Sequence, residues 1–289
     1  MLAIAPLRRD KLAERGTMSV RERDFVWGAR TYIMGIVNVT PDSFSGDGIC
    51  DAQGAIDHAI RQWEQGADIL DIGGESTRPG HRVIDEAEEL ARVIPVVRGV
   101  RERLPGAPIS IDTHKPVVAR AARAAGADIV NCVWGAPELL LEVAAEYAMP
   151  LVAMHNHSGT AYDGNVVDVV TAFLRDAATR ADARGVRVIL DPGIGFGKTP
   201  EQNIEMLKNL VAVADLGYPT LLGTSRKSTI GRLTGREPQQ RVAGTLASTA
   251  LAIAAGIDIV RVHDVTETRD AVAVSDAIVR GWRPQSWTE

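Results

Sequence analysis

Apolar and polar positions alternate along this chain on two length scales. From residue 32 onward, short runs rich in Ile and Val are each followed by a longer stretch whose apolar positions recur three and four apart. The short runs cover residues 32–38, 69–72, 109–112, 129–131, 151–155, 186–191, 220–223 and 257–263. The longer stretches cover 55–65, 85–104, 116–125, 137–147, 166–184, 200–214, 239–255 and 266–280. Continuous apolar runs read as strands buried on both faces, and the longer stretches read as amphipathic helices. Such regular alternation predicts an α/β protein with a parallel sheet. Eight strand–helix units joined by right-handed crossovers close into a (β/α)8, or TIM, barrel.

Local punctuation supports that register. Gly66-Ala67-Asp68, Gly126-Ala127-Asp128 and Gly256-Ile257-Asp258 each put a glycine where a helix gives way to a strand, the usual left-handed cap. Pro116, Pro137 and Pro200 fall at first helical turns, where a missing N–H costs nothing. A charged stretch, residues 8–24, precedes the first run. It is expected to be a mobile extension, so the division is 1–24 as extension and 25–289 as one barrel domain. Residues 25–31 are expected to form a small hairpin under the barrel.

Composition then narrows the function classes. The 289 residues, 45% of them hydrophobic, suffice for one barrel of roughly 250 residues. A net charge of -5 gives no basic face for nucleic acid or an anionic membrane, so any anion must be held by a local pocket. No stretch reaches the roughly 18 apolar residues of a membrane span. The N-terminal apolar stretch is too short for a secretory signal. Two widely spaced cysteines, Cys50 and Cys132, suggest neither a disulfide framework nor a zinc knuckle, which points to a reducing, cytoplasmic setting.

In a barrel of this type the reacting groups come from the C-terminal ends of different strands. Here every expected strand ends in polar or ionisable residues: Asn38; Asp71 with Glu75; Asp112; Asn131; Met154-His155-Asn156-His157; Asp191; Ser225-Arg226-Lys227; and Arg261-Val262-His263-Asp264. A single Asp after a strand is most often a helix cap. Four groups converging on one rim, Asp112, Asn131, Asp191 and Lys227, are not explained that way. They mix acceptors and donors, which suits the amide-like edge of a fused heteroaromatic ring better than a metal. Asn38, Arg261 and His263 bring no carboxylate and suit an anion seat, against the plainer reading that Arg261 pairs with Asp264 or a helix carboxylate.

Other signals are weaker. Gly193-Ile194-Gly195-Phe196-Gly197-Lys198 has neither dinucleotide-fold nor Walker A spacing, so its glycines are read as letting backbone approach a planar ligand, with Phe196 available for apolar contact. His155 and His157 could face one way on a strand, but the further ligands of a zinc site are missing. Trp282, Trp287 and the apolar face of 239–255 read as packing, with an oligomer contact as the other use of that face.

Six blocks taken together closely resemble one family. Met34-Gly35-Ile36-Val37-Asn38-Val39-Thr40-Pro41-Asp42-Ser43-Phe44-Ser45, residues 71–80, Ile111-Asp112-Thr113, residues 191–198, Ser225-Arg226-Lys227 and Arg261-Val262-His263-Asp264 follow the dihydropteroate synthase pattern, in order. The resemblance implies a folate-pathway transferase that joins p-aminobenzoate to 6-hydroxymethyl-7,8-dihydropterin pyrophosphate with Mg2+. It implies Asp112, Asn131, Met154, Asp191, Phe196 and Lys227 as the pterin set. Asn38, Arg261 and His263 become the pyrophosphate seat, with Asn38 near the metal. Catalysis is then assigned to Asp112, Lys227, Arg261 and His263. Thr77, Arg78, Pro79, Phe196 and Ser228 fall on the p-aminobenzoate side, and Thr40, Pro41, Asp42, Ser43 and Phe44 on a lid. The family also implies a homodimer.

The chain departs from that pattern at Asn131-Cys132-Val133-Trp134-Gly135, where an acidic residue gives way to cysteine and a bulky ring appears, and at Asn156-His157-Ser158-Gly159. Two rival readings are a pterin-binding homologue without turnover and a methyltetrahydrofolate-dependent methyltransferase. Pyrophosphate release separates the synthase from both. Sulfonamides mimic p-aminobenzoate, and their acceptance depends on lid and rim geometry rather than on any motif.

Overall fold

The structure is a computed structural model that describes residues 15–40, 51–76, 83–284 and 287. Eight parallel strands form one sheet: β3 (Tyr32–Asn38), β4 (Ile69–Gly73), β5 (Ile109–Asp112), β6 (Ile129–Cys132), β7 (Leu151–Met154), β8 (Val188–Asp191), β9 (Leu221–Leu222) and β10 (Ile259–Val262). The order is β8-β7-β6-β5-β4-β3-β10-β9, and a parallel bridge between Leu190 and Thr220 joins the two ends. The expected (β/α)8 barrel is present.

The strands read as unbroken apolar runs because both faces of each are buried, and the pleat divides their side chains into two cores. Met34, Ile69, Ile129, Val152, Ile189, Leu221 and Ile259 point inward and fill the barrel. Their neighbours Ile33, Leu70, Val130, Leu151, Leu190 and Val260 point outward under the helices. With a side-chain period of two, the next inward positions are Asn38, Asp71, Asp112, Asn131, Met154, Asp191, Arg261 and His263. The same alternation that packs the core thus aims these residues at the mouth.

Helices α1 (Ala52–Glu64), α2 (Glu86–Arg103), α3 (Pro116–Ala125), α4 (Glu138–Glu146) and α5 (Val166–Asp182) alternate with the strands largely as expected. Asp51, Asp85 and Asn165 cap the first, second and fifth by accepting a first-turn N–H. Pro137 stands one residue before its helix, while Pro116 and Pro200 occupy first helical positions. The stretch expected as one helix over 200–214 breaks at Asn209 into α6 (Pro200–Lys208) and α7 (Leu210–Ala214). The seventh unit differs most. Its strand is two residues long, and an unexpected helix α8 (Ser228–Thr234) ends at Gly235 in a left-handed cap. A 3-10 turn at Pro238–Gln240 then delays α9 to Val242–Ala254, before α10 (Val265–Val279) completes the ring.

The N-terminal expectation needs correction. The hairpin is not at residues 25–31: β1 (Thr17–Val20) pairs antiparallel with β2 (Arg23–Val26), inside the segment expected to be mobile. Residues 1–14 lie outside the described residues. The hairpin is fixed because it plugs the barrel floor, with Phe25, Trp27 and Tyr32 packed ring on ring at centroid distances of 4.8 to 5.7 Å.

Charge fixes it as well. In each repeated Gly-x-Asp signal the aspartate accepts a backbone N–H from the neighbouring strand: Asp68 from Ile33 at 2.9 Å, Asp128 from Ile109 at 3.0 Å, Asp258 from Thr220 at 2.9 Å. Arginines neutralise all three: Arg23 and Arg30 at Asp68, Arg21 and Arg101 at Asp128, and Arg15 at Asp258. Trp287 does not pack as expected; it is 70% exposed, with Arg283 against its ring. No helix among the described residues is long and apolar enough to cross a membrane.

Asp258 and the Arg15 side chain are almost wholly enclosed, so removing one partner strands a buried charge. Asp258→Ala is expected to lower stability by about 3 kcal/mol or more. Replacement of exposed Arg120, which pairs with Glu146, is expected to leave the urea midpoint unmoved. Equal midpoints for both variants would refute the role given to the buried pair.

Candidate functional site

The inward residues at the strand ends surround a cavity of about 350 Å3. Asn38, Thr40, Asp112, Phe196, Lys227, Ser228, Arg261 and His263 all line it. Met154, Asn131 and Asp191 are buried and do not line it. Thr77, Arg78 and Pro79, and Pro41, Asp42, Ser43 and Phe44, lie outside the described residues.

At the centre Arg261 is shared between two carboxylates. Its Nε donates to Asp71 Oδ2 at 2.6 Å and its Nη2 to Asp112 Oδ2 at 2.8 Å. Asn131 Nδ2 donates to the same Asp71 oxygen at 2.9 Å. Arg261 therefore pairs with carboxylates, but not with those weighed from sequence, since Asp264 is held by Arg226. The second oxygens of Asp71 and Asp112, both Oδ1, are buried without a hydrogen-bond partner among the described residues. Buried acceptors of that kind are costly unless a ligand donates to them.

Burial raises the Asp112 pKa to about 7; Arg261 opposes the rise, and Asp71 and Glu89 add to it. Asp191 is likewise raised by burial, against the Gly193 N–H bond and the charges of Lys227, Lys198 and Arg261. Burial also works against the charge of Arg261, but Asp71 and Asp112 outweigh it and keep that pKa above its ordinary value. The site is thus a dense, nearly balanced set of carboxylates and cations, in which each charge depends on its neighbours.

One wall is the turn after β8. Gly193, Gly195 and Gly197 all have positive φ, and a Cβ on Gly193 or Gly197 would stand 1.9 Å from the His155 carbonyl oxygen or 2.4 Å from that of His157. Only glycine permits so close an approach. The turn presents Phe196 with the Lys227 ammonium 4.0 Å above its ring, while Lys227 also donates to the Ile194 carbonyl. Opposite, Ser225 Oγ lies 2.9 Å from His263 Nδ1 and accepts the His263 backbone N–H at 3.1 Å, which fixes the imidazole from behind.

Several contributors were missed from sequence. Asp71 had a usable signal: it lies two residues after the inward Ile69, so strand parity alone aims it at the mouth. Arg241 and Pro238 reach the cavity from the connection after α8, where no strand-end rule applies. Ser225 was read only as part of a motif. The histidine pair lies beyond the end of β7, and His155 Nδ1 meets the Lys198 ammonium at 2.9 Å. Cys132 is a buried free thiol that burial pushes up to about 12, so it offers no nucleophile. Trp134 is 46% exposed and leaves Asn131 in place.

Comparison with known proteins bears directly on this arrangement. The family model described as pterin binding enzyme matches residues 34–263. A dihydropteroate synthase from Clostridium beijerinckii is 45% identical over 270 residues, covering 91% of this chain and 100% of that protein. Among solved structures, a dihydropteroate synthase from Clostridium difficile, determined in the presence of pteroic acid, superposes with a TM-score of 0.83 at 50% identity, covering 88% of this chain and 98% of that one. The Xanthomonas albilineans dihydropteroate synthase with 4-aminobenzoic acid gives 0.82 at 43% identity, covering 89% and 96%.

Proposed function

The chain belongs to the dihydropteroate synthases, and from that premise we propose how its own residues carry out the reaction. It condenses p-aminobenzoate with 6-hydroxymethyl-7,8-dihydropterin pyrophosphate, giving 7,8-dihydropteroate and pyrophosphate in folate biosynthesis. The observation that carries the assignment of roles is the pair of unpartnered carboxylate oxygens on Asp71 and Asp112 beside Lys227 and Asp191.

A pterin ring offers N–H donors and a carbonyl acceptor along one edge. Asp112, Asn131 and Asp191 receive the donors, Lys227 serves the acceptor, and Met154 and Phe196 bracket the ring. Asn38, Arg261 and His263 hold the pyrophosphate. The C–O bond to pyrophosphate breaks with its electron pair leaving on oxygen, and Arg261 and His263 stabilise that charge. The positive charge left on the methylene carbon is spread into the ring and held by ionised Asp112. The aniline nitrogen of p-aminobenzoate then forms the C–N bond and loses its proton to solvent. An aniline is a weak base, already unprotonated near neutrality, so positioning supplies most of the acceleration. Thr77, Arg78, Pro79 and Ser228 orient p-aminobenzoate, and the segment Thr40 to Phe44 covers the reacting atoms.

Mg2+ fits this site only in part through protein atoms. No cluster of three or more His, Cys, Asp or Glu able to hold a metal occurs among the described residues. A hard cation of this kind commonly takes one or two protein oxygens and completes its shell with phosphate and water. The Asn38 side-chain oxygen, in the cavity wall with Arg261 and His263, is the group that would hold it. Bound there, Mg2+ would neutralise charge on the leaving pyrophosphate.

Two finer assignments accompany this reading. The reaction is placed in the cytoplasm, consistent with the free buried thiol of Cys132. The second assignment is a homodimer through α9 and α10. Helix α9 carries no charged residue, yet Leu251 is 68% exposed, and Val274 and Ile278 of the adjacent α10 are 62% and 77% exposed. A helix apolar on all sides normally lies between other elements.

Mixing both substrates with Mg2+ is expected to release pyrophosphate in step with dihydropteroate. Asp112→Asn is expected to lower kcat by about a hundredfold or more, with a much smaller effect on binding of the pyrophosphate substrate. Equal losses in both would remove Asp112 from the chemical step, and ligand binding without turnover in the unaltered protein would remove the mechanism altogether. Sedimentation is expected to give a dimer, converted to monomer by Leu251→Asp with Ile278→Asp; a monomeric unaltered protein would refute the interface.

A further inference from the structure

The Lys198 ammonium does not line the cavity but bonds the backbone of the turn that does. The residue is 8% exposed, and its Nζ has three partners: His155 Nδ1 at 2.9 Å, the Gly193 carbonyl at 3.0 Å and the Phe196 carbonyl at 3.1 Å. Three acceptors match the three donors of an ammonium, and an acceptor nitrogen on His155 requires that ring to be neutral. His155 suits the part, since burial and the nearby Lys198 charge hold its pKa down to about 3.

The three partners belong to two adjacent segments that Lys198 ties to each other. Gly193 and Phe196 bracket the turn after β8, and His155 immediately follows β7, the strand beside it. Other bonds tie the same turn outward: Gly195 N–H donates to Asn203 Oδ1 at 2.7 Å, and Tyr162 Oη donates to the Gly197 carbonyl at 2.7 Å. Lys198 bonds across the inside of the turn, alongside the Phe196 N–H to Gly193 carbonyl bond at 3.2 Å. Gly193, Gly195 and Gly197 give this turn its positive-φ path, and Lys198 binds two of its carbonyls, those of Gly193 and Phe196. The turn in return fixes what faces the ligand: the Phe196 ring and, through the Ile194 carbonyl, Lys227.

We infer that Lys198 is a positioning residue for the condensation, holding the turn after β8 so that Phe196 and Lys227 meet the ring substrates, and placing its own charge behind Asp191, to which it is linked through the Gly193 peptide. The inference rests on the reading of the reaction given above. The charged groups acting on Asp191 are Lys227 from the wall, Arg261 from β10 and Lys198 beneath the turn. The charge acting on Lys198 is that of Asp191, while Lys198 and His157 act in turn on His155. Burial lowers the Lys198 pKa to about 7, against the Asp191 charge. Its three hydrogen-bond acceptors favour the charged form further.

The two parts of the role separate in two variants. Lys198→Met removes both the tie and the charge. It is expected to raise KM for p-aminobenzoate about tenfold, with a smaller change in kcat. Loss of the positive charge raises the Asp191 pKa, so the acid limb of kcat/KM for the pterin substrate is expected to move up by about one pH unit. His155→Leu keeps the charge and removes one acceptor, so KM is expected to rise while the acid limb stays in place. Thermal melts establish that each variant is folded; if Lys198→Met does not fold, His155→Leu carries the test of the tie. A folded Lys198→Met with wild-type KM and an unshifted acid limb overturns the inference, as does a His155→Leu variant with wild-type KM for p-aminobenzoate. Failure of the unaltered enzyme to release pyrophosphate would instead strike the reading on which the inference rests.

Discussion

One guanidinium between two carboxylates holds the working end of this barrel together. Arg261 comes from the last strand, Asp71 from the second barrel strand and Asp112 from the third, so their pairing crosses the barrel mouth and fixes the distance between its sides. Enclosing three such charges is expensive, and no hydrophobic gain at that level offsets the expense. The arrangement persists because the mouth is enclosed by elements whose packing is already settled lower down, where an apolar layer and an aromatic-lined hairpin fill the interior. Stability at the floor permits poor electrostatics at the rim, and the poor electrostatics are what a charged, polar ligand can relieve.

That division explains why so much of the fold was legible beforehand. Strand runs such as 69–72 and 129–131 each follow a glycine that ends a helix, which leaves little freedom in register, and the structure agrees there almost residue for residue. Agreement fails where packing rather than pattern decides. At 200–214 the helical period continues unbroken, yet the chain bends at Asn209. At 17–26 charged residues concealed a hairpin whose arginines neutralise aspartates contributed by distant turns. Local polarity gave no sign that those partners exist.

The site was legible to a similar depth. Asp112, Asn131, Asp191 and Lys227 stand where motif and parity place them. The partner of Arg261 was not foreseen, because ion pairing across a barrel depends on which strands face each other, and Asp71 and Arg261 are 190 residues apart. Lys198 escaped for a related reason: it holds a turn rather than lining the cavity, and such a role, like the support that cavity-lining Ser225 gives His263, leaves no spacing signature. The substitutions at Cys132 and Trp134 proved peripheral, since the cysteine side chain points away from the barrel interior into the outer core and the tryptophan lies partly in solvent.

The central claim is that Asp112 sits in this pair at a cost that its protonation relieves. Its pKa is raised in the folded protein to about 7, well above an unfolded carboxylate, so the neutral form stabilises the fold at low pH and that contribution is lost as pH climbs. Thermal melts of the substrate-free protein and its Asp112→Asn variant, from about pH 4 to about pH 8, test this directly. The account predicts that the variant gains on the parent steadily as pH rises to about 7, with the difference level beyond that. Parallel melting curves across the whole range, or a variant that loses ground at high pH, would contradict it.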